Sequence, residues 1–306
     1  MLAACLQAVC AACSVGAERP ADPPRHTLEA VECWQLNLPD GGRFDASGLL
    51  LLPDGALLTV NDRATGLFRL EFPGGSNRVN AVAVPDCFTA AQLAPFAGGK
   101  RGRWDCEGIA RDDQGRLYLC EEGNRWIIRW NPKTRIVERL EIDWSPVERF
   151  FDSDPNASFE GIAIGGGKLY VANERQRGQI IVVDLATLKV ERHFQVSYST
   201  SRARDTHYSD LSWHGGALWV LLRESSAVLK VDPVVEKVLA EFTFHEMERR
   251  KDVIYNSRYP TSTMEGLAVD DEFIWLITDN NGEGRWIAPD DKRPTLFKCK
   301  RPDRTK

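Results

Sequence analysis

The sequence lacks the features that mark several large classes of protein. It has no long run of lysine or arginine, and its 39 basic residues are outnumbered by 44 acidic ones, so no broad basic face for nucleic acid is predicted. No apolar stretch reaches the roughly 20 residues that a membrane-spanning helix needs. Nucleophile elbows of the Gly-x-Ser-x-Gly type, Walker loops and dinucleotide fingerprints are also missing. These absences argue against serine hydrolases and nucleotide-dependent enzymes.

Histidine is scarce, with five residues among 306, and no set of histidine and cysteine occurs at zinc-ligand spacing. The rest of the composition is that of a globular protein, with 43% hydrophobic residues, 27% charged residues and a net charge of −5. Length alone would allow two domains, whereas all-β folds of this size often form one. We expect a monomer whose partner is a small molecule, a metal ion or a protein.

The first 17 residues carry no charged side chain, and a proline-rich stretch follows them. This pattern is typical of the apolar part of a secretory signal, although its positively charged front part is missing, and a buried helix is the alternative. Cys5 and Cys13 each follow small residues, as in a bacterial lipobox. We predict a leader and linker over 1–24 and one domain over 25–306. The protein is expected in the periplasm or outside the cell, attached to a membrane only if it is lipidated.

One sequence unit recurs five times. The units begin at Asp45-Ala-Ser-Gly-Leu, Asp105-Cys-Glu-Gly-Ile, Ser158-Phe-Glu-Gly-Ile, Tyr208-Ser-Asp-Leu-Ser and Thr263-Met-Glu-Gly-Leu. Within each unit, apolar residues alternate with a period of two between turns rich in Gly and Asp, which indicates four short antiparallel strands. A unit of four short antiparallel strands that repeats along the chain is typical of a β-propeller. We predict an all-β propeller of five blades, six being the alternative, closed by pairing of Leu28–Leu38 with Thr295–Lys300.

An acidic residue recurs in the first strand of these units. It is Glu107, Glu160, Asp210 or Glu265 in four of them, and Asp45 or Ser47 takes the position in the first unit. The first strand of every propeller blade lines the central channel, so these side chains would surround one axis. Like charges held that close repel, and a hard divalent cation with oxygen ligands compensates them most simply. We predict a Ca2+ site here. The alternative is that each acid caps a turn or accepts backbone N–H bonds.

A second polar set ends the second strand of each unit, in the runs 61–63, 121–122, 173–175, 223–224 and 279–281. We predict that it surrounds the mouth of the channel as a ligand site formed by Asp62, Glu121, Glu174, Arg175, Glu224 and Asp279. The arginines would either bind an anionic group of the substrate or neutralise neighbouring acids in salt bridges. Both interpretations stand at this point.

Long loops lead into the repeated motifs and hold many basic residues. Arg204 lies in one of them, and positive charge above an acidic ring suits a phosphate or carboxylate bridged to a metal. His207 is the histidine nearest to a ring acid and would act as a general acid or base. For both residues, an exposed position without a catalytic role is the alternative.

The cysteines beyond the leader allow two disulfides. Cys106 and Cys120 are equidistant from Asp113 in a predicted turn, so a regular hairpin would set them opposite each other. Two unlinked core residues are an equally good interpretation. Cys33 and Cys299 lie in the first and last strand-like segments, and they would meet only if the two ends of the chain come together.

The repeated Glu-Gly-Ile-Ala or Glu-Gly-Leu-Ala motif, with Leu169-Tyr-Val-Ala-Asn-Glu-Arg beneath it, resembles the SdiA-regulated propellers and the related phytase-like esterase propellers. The resemblance spans residues 40–285. It implies an exported five-bladed propeller with Ca2+ in the channel and, through the second family, hydrolysis of phosphoester or carboxylester bonds. By matching position it implies Glu107, Glu160 and Glu265 as cation ligands and, less securely, Asp210.

Two departures from the motif bear on function. Ser47 stands where the first unit should have its glutamate, and Asp-Leu-Ser replaces Glu-Gly-Ile in the fourth unit. An incomplete ring weakens catalysis more than it weakens binding. The leading hypothesis is an exported Ca2+-binding propeller with a ligand-binding top face and metal-assisted hydrolysis of a small ester or phosphoester. The alternative is a non-enzymatic module that binds an envelope component and uses the cation for rigidity. A lactonase of the gluconolactonase type is a third possibility.

Overall fold

The computed structural model describes residues 22–38, 40–96, 104–151, 158–174, 178–196, 198, 207–260 and 263–303. Strands dominate this part of the chain. Its helices are short: α1 (Ala90–Leu93), α2 (His245–Glu248) and the 3-10 turns Ala94–Phe96 and Glu148–Phe150. Within the described ranges, no helix combines the length and the apolar character that crossing a membrane requires.

Most of the strands fall into five groups that match the sequence repeats, and the first two strands of the chain join the fourth and fifth groups. The strands are β1 (Arg25–Thr27), β2 (Ala30–Asn37), β3 (Ala46–Leu51), β4 (Leu57–Asn61), β5 (Phe68–Glu71), β6 (Arg78–Ala83), β7 (Cys106–Arg111), β8 (Leu117–Glu121), β9 (Trp126–Trp130), β10 (Val137–Arg139), β11 (Phe159–Gly165), β12 (Lys168–Asn173), β13 (Gln179–Asp184), β14 (Lys189–Phe194), β15 (Asp210–His214), β16 (Ala217–Leu222), β17 (Ala227–Asp232), β18 (Lys237–Thr243), β19 (Met264–Val269), β20 (Phe273–Thr278) and β21 (Thr295–Lys300).

Each repeat forms a four-stranded antiparallel unit. The second, third and fourth units are β7–β10, β11–β14 and β15–β18. The first unit is β3–β6, and the fifth consists of β19–β21 together with β2. Parallel pairing of β2 with β6 joins the first and fifth units into one eight-stranded sheet, and β1 adds a parallel strand to the outer edge of the fourth unit. The described part of the chain therefore forms four sheets in an all-β, propeller-like architecture.

The first strands of the units form the centre of the molecule. In order around this centre, β3 contacts β7, β7 contacts β11, β11 contacts β15, β15 contacts β19, and β19 contacts β3 again. Inner strands are buried on both faces, so β13 is apolar from Ile180 to Val183, whereas the outer β14 alternates between exposed and half-buried residues from Lys189 to Arg192. This burial pattern explains why the repeats are easiest to recognise in their inner strands.

The two ends of the described chain meet in the fifth unit. Strand β2 pairs antiparallel with β21, and Cys33 lies opposite Phe297. The predicted pairing of the terminal segments is therefore confirmed. Strand β21, the last strand-like segment of the sequence, therefore lies between β20 and β2, which are far apart in the sequence.

The predicted alignment of Cys106 with Cys120 is wrong by one residue. Cys106 lies opposite Glu121 and Gly108 lies opposite Cys120, because an extra residue at Glu107 shifts the register. The two side chains consequently enter different cores, one between the first and second units and the other between the second and third. Cys106 and Cys120 are free thiols, and so are Cys33 and Cys299.

Apolar side chains fill the spaces between neighbouring units. Between the third and fourth units, for example, Tyr170 and Val182 pack with Leu218 and Leu229, and all four are buried. Burial of one such side chain contributes about 1.5–3 kcal/mol. The units are therefore fixed against one another mainly by side-to-side packing, which gives the inner strands a rigid surrounding.

Glycine follows the glutamate of the motif because the inner strands approach very closely. A Cβ atom on Gly108 would lie 2.8 Å from the Cα of Gly161, and one on Gly161 would lie 2.4 Å from the Cα of Asp210. No side chain fits at these contacts without moving the backbone. The Glu-Gly pair thus combines a residue that can reach the channel with one that lets the strands meet.

Candidate metal centre

The glutamates of the repeated motif are the extra residues of β-bulges. Pairing of β7 with β8 passes from Cys106 directly to Gly108, which leaves Glu107 without an opposite residue. The same irregularity occurs at Glu160 in β11 and at Glu265 in β19. A bulge turns a side chain away from the regular alternation of the strand. All three glutamates line one central cavity.

A second ring of side chains comes from the residue that directly follows the second strand of each unit. These residues are Asp62, Glu122, Glu174, Arg223 and Asp279, and all five line the same cavity. The backbone continues the strand pairing by one bond here. The N–H of Glu122, for example, donates to the carbonyl of Asp105 at 2.9 Å, and that of Asp279 donates to Thr263 at 2.8 Å.

The cavity has a volume of about 250 Å³. Its lining within the described chain consists of Ser47, Asp62, Arg63, Asp105, Glu107, Glu122, Glu160, Glu174, Arg223, Glu265, Asp279 and Asn281. Eight of these residues are carboxylic acids and two are arginines, and histidine and cysteine do not occur among them. The site is strongly acidic and offers oxygen ligands only.

Two groups of three acids within the cavity have the spacing of a cation site. One consists of Asp62, Asp105 and Glu107, and the other of Glu122, Glu160 and Glu174. In each group, one carboxylate oxygen per residue lies within 4.8 Å of the other two. Clustered carboxylate oxygens are the ligands that Ca2+ prefers, whereas a zinc site would normally include histidine or cysteine. The residues present therefore fit a hard divalent cation.

Burial makes the ionised forms of these acids costly. It raises the pKa of Glu107 and Glu160 well above the ordinary value, and the neighbouring Glu122 and Glu174, respectively, raise them further. Burial also raises the pKa of Asp62 to about 7. At neutral pH, the cavity would therefore keep protons on some of its acids or exchange them for a cation.

Arg223 supplies a positive charge inside the cavity. Its guanidinium group lies 2.6 Å from Glu174 and also contacts Glu265. Burial by itself would lower the pKa of Arg223, but the attraction of Glu265, Glu160 and Glu174 raises it, so the side chain stays charged. The fourth unit thus contributes a cation at the position where the other four units contribute an acid.

The predicted ring acids do not all reach the cavity. Glu107, Glu160 and Glu265 line it, whereas Asp210 and Asp45 are not among the described lining residues. Asp210 is fully buried, and its carboxylate accepts backbone N–H bonds from Leu49, Leu211 and Leu267 at 3.2, 2.8 and 2.7 Å. Asp45 is buried beside Arg43, whose Nε and Nη2 lie 2.7 and 2.6 Å from its two oxygens.

The predicted channel-mouth set is also divided. Asp62, Glu174 and Asp279 line the cavity. Glu121 instead accepts hydrogen bonds from the backbone and side-chain nitrogens of Asn124, at 2.8 and 2.9 Å, and so closes a turn. Glu224 pairs with His207. Arg175 and Arg204 lie outside the described residues.

The polar pairs 121–122 and 223–224 of the sequence include Glu122 and Arg223, but the predicted site named their neighbours Glu121 and Glu224 instead. A simple signal would have found Glu122 and Arg223. In every unit, the lining residue is the one directly after the last residue of the second strand, and a fixed offset from the buried strand marks it. Asp105 and Asn281 line the cavity as well, without a comparable repeat signal.

His207 lies next to the cavity rather than in its described lining. Its Nδ1 is 2.8 Å from Glu224 and 3.8 Å from Glu174, and the close contact with the Glu224 carboxylate raises its pKa. Because Glu174 lines the cavity, one carboxylate separates this histidine from the acidic centre.

Comparison with known families identifies the family of this chain. The profile of the family described as "Phytase-like: Esterase-like activity of phytase" matches residues 42–282, a range that contains every cavity residue named above. The chain belongs to the phytase-like family. Among curated proteins, none matches this phytase-like protein.

Several solved structures of other proteins are similar to this chain over most of its length. Glutaminyl cyclase from Myxococcus xanthus is similar over 91% of this chain and 97% of its own, with a TM-score of 0.58 and 15% identity. Aldose sugar dehydrogenase from Streptomyces coelicolor is similar over 91% of this chain and 100% of its own, with a TM-score of 0.47 and 13% identity. Virginiamycin B lyase from Staphylococcus aureus is similar over 87% of this chain and 74% of its own, with a TM-score of 0.43 and 16% identity. At such identities the first likeness shows the fold alone, and the other two are too weak to support an argument.

Proposed function

We propose that this phytase-like protein binds a divalent cation, Ca2+, in its acidic cavity. The observation that carries the proposal is a lining of eight carboxylic acids and two arginines around about 250 Å³. Buried like charges are unfavourable unless a cation or protons compensate them. Ca2+ accepts six to eight oxygen ligands in irregular geometry, which suits acids contributed by different units. The ligands would come from Glu122, Glu160 and Glu174, and Asp62, Asp105 and Glu107 would face the same cavity without coordinating the cation.

We further propose that the site hydrolyses an ester or phosphoester, in line with the description of the family. A bound Ca2+ would supply positive charge that polarises a substrate oxygen and lowers the pKa of a nearby water. Asp62, with its pKa raised to about 7, would accept and return a proton near neutral pH. Arg63 in the cavity lining would hold an anionic group of the substrate, and the pair His207 and Glu224 would pass a proton at the rim.

A binding module without catalysis is the second candidate, and Arg223 favours it. This side chain joins Glu174 to Glu265 and occupies space in the cavity that a substrate would otherwise use. In that case the cation would fix the inner strands, and the face around the cavity would bind an envelope component. Hydrolytic activity that depends on Ca2+ is the property that separates the two candidates.

We infer that the five units are five blades of one propeller within a single domain over 25–306. The cycle of contacts among the first strands supports this count. The likeness to SdiA-regulated proteins, a monomeric state, and export to the periplasm or the outside of the cell remain proposals. The leader up to residue 21, with Cys5 and Cys13, lies outside the described residues. Mass spectrometry of the mature protein tests export, because an intact Met1 would contradict both removal of the leader and lipidation.

Thermal unfolding with EDTA and then with Ca2+ tests the cation site. A ligand at 100 times its Kd stabilises the folded state by about 2.7 kcal/mol, which for a chain of this size raises Tm by about 5 °C. Glu160→Gln should lose most of this increase. Glu121→Gln is the matched control, because it also removes a buried carboxylate, but one outside the cavity lining, and it should retain the increase. An unchanged Tm in the wild type would overturn the proposal.

Hydrolysis is then measured with an aryl carboxylester and an aryl phosphate in the presence of Ca2+. Activity that EDTA removes, and that Glu160→Gln lacks while Glu121→Gln retains it, would support the enzyme. Ca2+ binding without activity on either class of ester would favour the binding module.

A further inference from the structure

Asp210 lies at the convergence of three backbone N–H groups. One oxygen of its carboxylate accepts from Leu267 at 2.7 Å and from Leu49 at 3.2 Å, and the other accepts from Leu211 at 2.8 Å. The three donors belong to the fifth, first and fourth units. The side chain has no exposed surface, and protein atoms therefore enclose the carboxylate.

The third unit packs against the same residue. A Cβ on Gly161 would lie 2.4 Å from the Cα of Asp210 and 2.7 Å from its Oδ1. Asp210 therefore contacts the first, third and fifth units in addition to its own. Backbone N–H groups that converge in this way form an anion-binding concavity, and here the anion is a side chain of the protein itself.

The N–H groups that Asp210 holds are close in sequence to the cavity. Leu49 and Leu267 follow Gly48 and Gly266, the glycines directly after Ser47 and Glu265. The hydroxyl of Ser47 donates to Glu107 at 2.5 Å, and Glu265 contacts Arg223. The backbone fixed by Asp210 is thus the backbone from which these two cavity side chains project.

We propose that Asp210 is an internal anion that positions the cavity side chains of the first and fifth units, and that it is not a ligand of the cation. The part of the inference that concerns cation affinity rests on the proposed function. The part that concerns the anion does not. Asp210 is a positioning residue, because it acts through the backbone of Leu49 and Leu267.

The chemistry of the site requires a carboxylate rather than an amide. Burial raises the pKa of Asp210 well above its ordinary value, while the three backbone N–H groups lower it. Both oxygens accept hydrogen bonds, and each partner among the described residues is a donor, which favours the ionised form. In Asp210→Asn, one side of the amide would be an NH2 group that faces a backbone N–H, whichever way the amide is turned. Asp210→Ala would leave all three N–H groups without the carboxylate, but it would leave space for a small anion.

The test uses Asp210→Ala with sodium formate, and sodium chloride at equal ionic strength as the salt control. The variant should unfold at a lower temperature than the wild type and bind Ca2+ about 10–100-fold more weakly, as expected for loss of a group that orients ligands. Formate should restore both properties in the variant and change neither in the wild type, because it returns a carboxylate to the same N–H groups.

Asp112→Ala is the matched control. Asp112 is also buried, and it accepts hydrogen bonds from the Arg116 backbone and the Tyr118 hydroxyl, both at 2.9 Å, in a turn away from the cavity. Its loss should lower Tm and leave Ca2+ affinity unchanged. If Asp210→Ala behaves in the same way, Asp210 has only a structural role and the positioning proposal is wrong.

The remaining outcomes are also decisive. If formate restores Tm but not Ca2+ affinity, the anion at this place does not position the cavity side chains, which overturns the inference. If formate restores neither, the anion site is refuted. If the wild type binds no Ca2+, the proposed function fails. Rescue of Tm by formate would still show whether the N–H groups around Asp210 bind an anion. Should the variant not fold, hydrogen exchange of the wild type replaces it. Slow exchange is expected at Leu49, Leu211 and Leu267, and fast exchange at Leu49 and Leu267 would contradict the inference.

Discussion

The third and fourth units place the acid of the repeated motif differently: Asp210 takes the paired position that Gly161 takes in the third unit, one residue after Glu160. In the third, a bulge at Glu160 directs this side chain into the cavity, and Glu174 follows the second strand. In the fourth, Asp210 pairs regularly with Leu221, its side chain stays among the inner strands, and Arg223 follows the second strand. One unit gives the cavity two acids, and the other gives it none and adds a cation.

The difference shows that one inserted residue decides which way an acid points. Side chains alternate along a strand, so a bulge moves the residue after it to the other face. Without the bulge, the acid of the fourth unit binds backbone N–H groups, and Arg223 compensates acids of its neighbours. Units with the same fold thus divide the tasks of holding the strands together and of forming the site.

The largest expected effect concerns the close contact between these two units. Gly161→Ala places a Cβ 2.4 Å from the backbone of Asp210, so the strands must separate. We expect a loss of about 3 kcal/mol in the free energy of unfolding, measured by urea denaturation. Gly74→Ala is the control, since a Cβ there has no atom within 4 Å, and its unfolding midpoint should change little. Equal stability of the two variants would contradict the close contact.

Removal of the cation of the fourth unit should have the next largest effect. Arg223→Gln leaves Glu174 and Glu265 buried without their guanidinium partner. Loss of one partner from a buried ion pair costs about 3–5 kcal/mol, and we expect about 2–3 because a fifth of the Arg223 side chain is exposed. Added Ca2+ should raise the Tm of this variant by more than it raises that of the wild type. An equal increase in both would argue against competition between Arg223 and the cation.

The buried acid Glu248, next to the fourth unit, should make the stability of the protein depend on pH. Burial raises the pKa of Glu248 to about 8, although Ser226 donates a hydrogen bond to it. The folded state therefore holds this proton more tightly than the unfolded state. The resulting stabilisation is complete below pH 4.5 and is lost as the pH rises through 8. Between pH 5 and 9, Glu248→Gln should remove about 1–2 kcal/mol of the decrease seen in the wild type. Identical pH profiles of the wild type and Glu248→Gln would contradict a contribution of Glu248 to this pH dependence.

The smallest effect is expected in the first unit, where a serine replaces the glutamate. Ser47→Ala removes the hydrogen bond from Ser47 to Glu107. In the wild type, this hydrogen bond lowers the pKa of Glu107. The free energy of unfolding should fall by about 1 kcal/mol, and Ca2+ affinity should decrease several-fold. Isothermal titration measures the affinity, with Ser76→Ala as the control, because Ser76 is half-buried, accepts a hydrogen bond from the Arg78 backbone and is not among the described cavity residues. Unchanged affinity would mean that Ser47 does not orient Glu107.

Much of the fold follows from local features of the sequence. The recurring motif, the period of two and the turns between strands predict five antiparallel units, and the strand-like ends predict their pairing in the fifth unit. The Glu-Gly pair predicts three of the cavity acids, Glu107, Glu160 and Glu265. These features depend on neighbouring residues along the chain, so they are visible without a structure.

Register and side-chain direction depend on contacts between distant strands, and only the tertiary structure decided them. The bulge at Glu107 separates Cys106 from Cys120, although both are equally far from the turn. Asp210 occupies a ring position in the sequence, yet N–H groups from Leu49 and Leu267 hold it outside the cavity lining. The sequence by itself determined the repeat and the supply of acids. The packing of the inner strands decided which acids face the cavity, because a shift of one residue reverses the direction of a strand side chain.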